Sequence, residues 1–472
     1  MKALKSLFDT EIIWFISFLL LFLNFPYALE AANQFILNQV ESGEPTTVSL
    51  RHVFHHGSTK YPNLFRRMDL TETKVRTQEL ESGAPLTFTL MGINGTGIEY
   101  VKENAIKEFR DMSKNKLKSA KLDWRDIPKY IPLIKHWKTL INLAKLTYNA
   151  YVKPEDQDWY DLGKKYGLND TFGWDQDGIR GYVFASNDNK TLVISIKGTS
   201  MGFGAGPTVG NDKFNDNRLF SCCCAYVDRT WSSVCPCYLD NYRCNQDCLE
   251  KSVDEDELYF AITLNMVDRI MKEFPKSVIW ITGHSLGGAL SSLIGLTYNI
   301  PAVAFESPGD RLPARRLHLP HPPALPADKM NIWHLGHTAD PIFMGVCNGI
   351  RSSCYVGGYA MESKCHVGVT CSFDSVEKLG WRVDIRSHRI QEMKMKKNVL
   401  IVVFGNILKA FKIELFIIAQ LFFTRPYICS WDFFSPKFNY FILYYFNSEH
   451  NLKNEKRHSK KIYIISIILK VI

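Results

Sequence analysis

Outside its last segment this chain has almost no net charge. The formal excess is +9 over 472 residues, yet from Lys396 onward about 12 basic residues stand against about 4 acidic ones, which accounts for nearly all of it. A neutral body has no electrostatic footprint for nucleic acid, and that class of partner is excluded. Long apolar runs are equally scarce. There is one uncharged stretch, "IIWFISFLLLFLNFPYAL" (Ile12 to Leu29), of roughly 18 residues behind Lys2 and Lys5, long enough for a membrane helix. The chain also lacks paired C-x-x-C spacings, and no histidine falls within "CCCAYVDRTWSSVCPCYLDNYRCNQDC", so a zinc site there has little to build on.

What is there follows from the same three features. The apolar stretch reads as a signal anchor in preference to a cleaved signal peptide, because Leu29 and Glu30 interrupt the small-x-small pattern that cleavage requires. With Lys2 and Lys5 held in the cytosol, everything beyond the anchor would be luminal. Of the 12 cysteines, seven lie between Cys222 and Cys248 and four between Cys347 and Cys371. Such density is expected as disulfides in an oxidising compartment. Asn94, Asn169 and Asn189 each open an N-x-Thr sequon and are candidate glycosylation sites.

The order of segments suggests 1–11 as a short cytosolic N-terminus, 12–29 as the anchor, 30–123 as a stem or N-terminal subdomain, and 124–395 as the main domain. Within the last, "IPLIKHWKTLINLAKLTYNAYV" and "ELYFAITLNMVDRIMKEF" have helical spacing. "GIRGYVFASNDNKTLVISIKGTS" reads as a hairpin turning at Asn187 to Asn189, and "IPAVAFESPGD" and "NIWHLGHTADPIFMG" contain further strands. Strands alternating with helices predict an α/β fold with a largely parallel sheet. Residues 200–250 would be an insertion, and "RLPARRLHLPHPPALP", with its five prolines, a surface loop. The tail, 396–472, is basic and apolar, has one glycine and two prolines, and shows no motif.

The chemistry centres on "VIWITGHSLGGALSSLIGL" (Val278 to Leu296). A buried strand runs into Gly283-His284-Ser285-Leu286-Gly287-Gly288, and then into an amphipathic helix. A serine at such an elbow is exposed by a strained backbone, so its neighbours two before and two after must be small; Gly283 and Gly287 are, and Gly288 adds room. A hydroxyl is a weak nucleophile until a base takes its proton, and the helix N-terminus beneath Ser285 favours the negative charge that develops.

"GHSLGG" in that setting, with "VISIKGTS" roughly 85 residues earlier and "FESPGDRL" roughly 20 later, resembles the class 3 lipases. "HTADPIFMG", "GGYAMESKCH" and "KLGWRVDIRSHRI" bring it near the fungal autophagy-related vacuolar lipases within that family. The resemblance covers about 124–390 well, the preceding segment loosely and the tail not at all. It implies an α/β-hydrolase fold of the class 3 lipase type with an N-terminal anchor and a Cys-rich insertion beside the lid. It further implies hydrolysis of phospholipid or triacylglycerol esters at a lipid membrane, with no metal or organic cofactor. A single-pass type II membrane protein of the endoplasmic reticulum and Golgi, reaching multivesicular bodies and the vacuole lumen, is the matching location.

In this family the acid and base follow the serine. Asp340, just beyond a short strand and before Pro341, is the favoured acid, with Glu306 and Asp310 as rivals. The bases available downstream are His366, His388, His450 and His458; His388 in "DIRSHRI" takes the family's position, while His366 would sit in a Cys365 to Cys371 disulfide loop. The backbone N–H of Leu286 and the N–H and hydroxyl of Thr199 would form the oxyanion hole. The glycine-rich "SMGFGAGPTVGNDKF" that follows Thr199 would be a lid, with Met201 and Phe203 meeting lipid.

Overall fold

The computed structural model describes residues 43–390, apart from isolated positions and the stretches 116–121, 152–159, 162–176 and 200–208, together with 428–429. The anchor stretch, the sequon at Asn169, the lid residues Met201 and Phe203, His450 and His458 all lie outside the described residues.

Eleven strands in 43–390 join one mixed sheet: β1 Glu44–His56, β2 Phe65–Asp69, β3 Thr87–Tyr100, β4 Trp124–Pro132, β5 Tyr160–Asp161, β6 Ile179–Ser186, β7 Thr191–Ile196, β8 Val278–His284, β9 Ala302–Phe305, β10 Ile332–His337 and β11 Val369–Phe373. From β11 inward the order is β11-β10-β9-β8-β7-β6-β1-β2-β5, and β3 pairs with β1 and with β4. The five strands β7 to β11 are parallel neighbours in chain order. Every other pairing is antiparallel. The α/β expectation is met, and the parallel wing carries the candidate chemistry.

Among the described residues ten helices accompany the sheet: α1 Glu72–Ser82, α2 Ala105–Lys114, α3 Trp137–Asn149, α4 Val209–Phe220, α5 Gln246–Val253, α6 Tyr259–Glu273, α7 Leu286–Tyr298, α8 Arg311–Arg316, α9 Ser353–Val356 and α10 Ser375–Leu379. The core lies where α6 and α7 cover the central strands: Ile194, Ile196, Ile281, Leu290, Leu293, Ile294, Met266 and Ile270 are all buried in one cluster. β7 is buried along its whole length, as expected of a strand covered on both faces. Helix α7 departs from the amphipathic reading. Residues 286–296 are all buried, because α7 lies against β7, β8 and β9 on one side and α6 on another.

Several expectations change. Helix α3 starts only at Trp137, since Pro128 and Pro132 hold the preceding segment extended and it forms β4 instead. Within 30–123, "TFTLMGINGTG" lies in β3, which runs as a strand from Thr87 to Tyr100. Residues 311–316, read as loop, form α8, because Pro313 stands in a first turn where no N–H is required. Residues 44–100 place three strands in the same sheet as the main domain, with β1 paired to β6 from Val48↔Ser186 to His56↔Ile179.

The single-pass membrane topology is corrected. Among the described residues no helix is long and apolar enough to cross a membrane. The longest described helix has 15 residues, against the ~20 that a bilayer demands. The disulfide expectation holds for Cys223–Cys244, Cys224–Cys235, Cys237–Cys248 and Cys347–Cys354. Cys222 and Cys365 are free thiols, so the loop expected to close from Cys365 onto Cys371 does not exist.

Candidate active site

Ser285 stands between the end of β8 and the start of α7 with φ 57° and ψ −130°. That left-handed backbone is costly for a residue with a Cβ and persists only where its surroundings enforce it. Here they do. Its N–H donates to the Phe305 carbonyl on β9 at 3.0 Å. A Cβ on Gly283 would lie 2.2 Å from the Gly287 carbonyl oxygen, and one on Gly287 would lie 2.3 Å from that of Ile196. The two glycines let β7, β8 and α7 converge and hold Ser285 at the turn, where the serine, read as exposed, is instead buried.

Two hydrogen bonds then connect the favoured residues. Ser285 Oγ donates to His388 Nε2 at 2.9 Å, and His388 Nδ1 donates to Asp340 Oδ2 at 2.8 Å. Asp340 lies three residues past β10, and its other oxygen accepts the Ile342 N–H at 2.9 Å, which aims the carboxylate. Burial raises its proton affinity, but the facing His388 and the bonds from His388, Glu306 and Ile342 outweigh this and hold the acid below the usual carboxylate range. His388 closes a 3-10 turn, Ile385–His388, capped by Asp384. Ser387 Oγ donates to the Ala339 carbonyl at 2.7 Å, and His337 Nε2 donates to the Ser387 carbonyl at 3.2 Å, so the base's turn is bound to the acid's loop.

His284, read from the sequence only as part of the elbow, has a further place here. Tyr151 OH donates to its Nδ1 at 2.8 Å, and its Nε2 donates to the His388 carbonyl at 2.8 Å. Burial, then the neighbouring His388, push its pKa down to about 3, so the ring is neutral and can both accept and donate. The signal in the sequence was a ring with two hydrogen-bonding edges next to the nucleophile. Its partners, Tyr151 and His388, are too far along the chain for spacing to show.

At the proposed oxyanion hole Leu286 is the first residue of α7, where an N–H has no acceptor within the helix. Thr199 is buried near the end of β7, but its hydroxyl donates to Asp216 Oδ2 on α4 at 2.8 Å and so is already engaged. Burial, joined by the nearby Asp212, raises the Asp216 carboxyl well above the usual range. Lys197 Nζ lies 3.5 Å from Asp212.

The rival residues lie elsewhere. Glu306 sits behind the acid, accepting the His337 N–H at 3.3 Å and bonded to the Asp340 carboxyl. Asp310 and His366 meet His334, and His366 Nε2 donates to the Phe343 carbonyl at 3.1 Å. Neither contacts Ser285. Of the sequons, Asn94 on β3 and Asn189 at the β6–β7 turn are exposed.

Comparison with known proteins follows this geometry. Residues 240–302, from the Cys-rich segment through the elbow, match the family described as "Lipase (class 3)". A protein of Cryptococcus neoformans var. neoformans serotype D (strain B-3501A), named "Putative lipase ATG15", is 53% identical over 275 residues, covering 57% of this chain and 53% of its own length. Proteins of the same name from Meyerozyma guilliermondii and Candida albicans are 40% identical over 403 residues and 41% identical over 411. These matches cover 72% and 73% of this chain, and 71% and 68% of the relatives. The chain spans about half the length of the Cryptococcus relative. Its mixed sheet, with the elbow between β8 and α7, is the α/β-hydrolase lipase fold. On the extent and identity of these matches, the chain belongs to the class 3 lipase family, among the fungal proteins named "Putative lipase ATG15".

Proposed function

We propose that the protein is a serine carboxylic-ester hydrolase acting on phospholipids or triacylglycerols. The observation that carries this reading is the continuous path Ser285 Oγ to His388 Nε2 to Asp340 Oδ2, at 2.9 and 2.8 Å. His388 takes the serine proton as Ser285 attacks the ester carbonyl, and Asp340 holds the imidazole and stabilises the cation that forms. The backbone N–H groups of Leu286 and Thr199 receive the oxyanion, the Thr199 hydroxyl serving through Asp216 to fix that loop. His388 then protonates the departing alcohol, and water releases the acyl group by the same steps in reverse.

A lipid surface as substrate is supported by the segment after the acid. Met344, Val346, Ile350 and Val356 are 38, 46, 74 and 79% exposed, an apolar set that a water-soluble ester would not require. The role in breaking down autophagic and multivesicular-body membranes comes from the family resemblance. The disulfides favour an oxidising environment. The test is hydrolysis of a long-chain ester, emulsified and monomeric, by the wild type and Ser285→Ala. Turnover lost with Ser285, and higher on emulsion, supports the reading. A folded wild type with no turnover on either ester would instead make this a lipid-binding relative that keeps the fold.

A further inference from the structure

Three side chains excluded from the serine site gather into a second cluster. Asp310 comes from the turn after β9, His334 from the middle of β10, and His366 from the segment before β11. His334 Nε2 lies 3.3 Å from Asp310 Oδ2, and His366 Nδ1 lies 4.0 Å from Asp310 Oδ1. The two imidazoles are 4.7 Å apart between centroids, and one ligating atom from each residue falls within 4.8 Å of the others. The side chains are 0, 0 and 5% exposed.

Their outer edges are fixed and their inner edges are not. His366 Nε2 donates to the Phe343 carbonyl at 3.1 Å, which leaves a lone pair on Nδ1 facing inward. His334 Nδ1 shares a 2.7 Å hydrogen bond with Ser307 Oγ, and Asp310 Oδ1 accepts the Val367 N–H at 2.9 Å. By contrast Asp310 Oδ2 and His334 Nε2 meet only each other, at 3.3 Å and outside good hydrogen-bond geometry, and His366 Nδ1 is buried without a hydrogen bond of acceptable geometry. Buried polar atoms are nearly always paired, and three that converge share a cause. His366 Nδ1 and the Asp310 carboxylate are both acceptors, and 4.0 Å is too long for a hydrogen bond between them. A cation between the three satisfies all of them together. Histidines whose far nitrogen is anchored while the near one presents its lone pair have the arrangement seen around bound metals.

We propose that Asp310, His334 and His366 form a structural zinc site. Two imidazoles and one carboxylate suit zinc, whereas calcium and magnesium take sets made of oxygen. Ser292 Oγ, buried beside the Asp310 carboxyl and also without a hydrogen bond of acceptable geometry, or a water, completes the tetrahedron. In a tetrahedron of zinc bonds about 2 Å long the ligand atoms are about 3.3 Å apart, so atoms now within 4.8 Å of one another must draw in by up to about 1.5 Å. The ion takes no part in ester cleavage. It ties the β9 turn, β10 and the segment around His366 together beside the acid: His334 is on the strand that leads to Asp340, and Phe343, just after it, stacks on His366 at 4.8 Å. The inference does not depend on the hydrolase reading.

The test uses the full chain, purified without chelator, supplied with Zn²⁺ and dialysed. Elemental analysis is expected to find one zinc per chain, and added Zn²⁺ to raise the thermal midpoint of the stripped protein by several degrees. Asp310→Asn and His366→Gln should each lose at least ten-fold in zinc affinity and the thermal shift with it. If either fails to fold, Co²⁺ titration of the stripped wild type decides, with visible absorption of a tetrahedral ion saturating at one equivalent. Less than a tenth of an equivalent of zinc with an unmoved midpoint, no Co²⁺ band, or full zinc retained by both folded variants would overturn the proposal.

Discussion

Ser285, His388 and Asp340 hold one another through two hydrogen bonds, so their loss is not additive. Alanine at any one is expected to lower kcat by several orders of magnitude, and double variants to cost little more than the worst single one. Steady-state kinetics on a monomeric ester measures this. His366→Ala should keep most turnover, because its ring faces Asp310 and Phe343; an inactive His366→Ala beside an active His388→Ala would reverse the base assignment. Glu306→Gln should be milder than Asp340→Asn, since Glu306 reaches the base only through the acid. The buried neutral histidines set a pH dependence of stability. His284 and His55 both have pKa values pushed down to about 3, chiefly by burial. Unfolded histidine titrates near 6.5, so between about pH 6.5 and 3 the unfolded chain binds more protons than the folded one, and stability falls as pH falls. Each group contributes about 1.4 kcal/mol per pH unit at most, and thermal midpoints measured from pH 7 to 4 should decline steadily. A midpoint that rises on acidification would contradict this burial.

Among elements, the strand-turn-helix at the nucleophile was the most legible, because two glycines flanking a serine between a β-branched run and a small-residue run leave few alternatives. Gly283→Ala should abolish activity and destabilise the fold by a few kcal/mol, since its methyl would meet the Gly287 carbonyl at 2.2 Å. Denaturant unfolding with an activity assay checks both. The helix at 311–316 was missed because five prolines were weighed as breakers without regard to position, and α7 was read as amphipathic because spacing alone does not reveal a second covering layer. The Cys-rich segment was read correctly as bridged, although which thiols stay free could not be foreseen: Cys222 and Cys365 are set apart by where their neighbours fold. Closing loops of 11 and 21 residues, the bridges of that segment should each contribute about 2–4 kcal/mol, so Cys237→Ser with Cys248→Ser is expected to lower the midpoint measurably. Ile350→Asp with Val356→Asp should reduce turnover on emulsified ester several-fold and leave monomeric ester unchanged, as both are exposed rather than packed.

For the molecule as a whole, the boundary expected near residue 124 falls within one continuous sheet, because β1 is the antiparallel neighbour of β6 over most of its length. Composition near the N-terminus is polar and mixed, which suggests a stem, but pairing across more than a hundred residues cannot be read from composition. A chain beginning at residue 124 should therefore express as aggregate, with β6 left as an open edge, whereas one beginning at 43 should fold; solubility and circular dichroism separate the two. Asp340, by contrast, could be favoured from its place just past a strand end and before Pro341, whereas His388 was favoured over His366 through the family resemblance. The position of His388 has a consequence for the making of the protein. The nucleophile is translated about a hundred residues before its base, and that base is held by the His284 ring and the loop at Ala339, Ser387 and His337. If Ser285 and His388 act as proposed, a chain still emerging from the ribosome, or one cut short anywhere before the Ile385–His388 turn, would carry a serine that cannot attack. On the proposed hydrolase function, the membranes around a half-made molecule would thus be protected by the order of synthesis itself, with no inhibitor required.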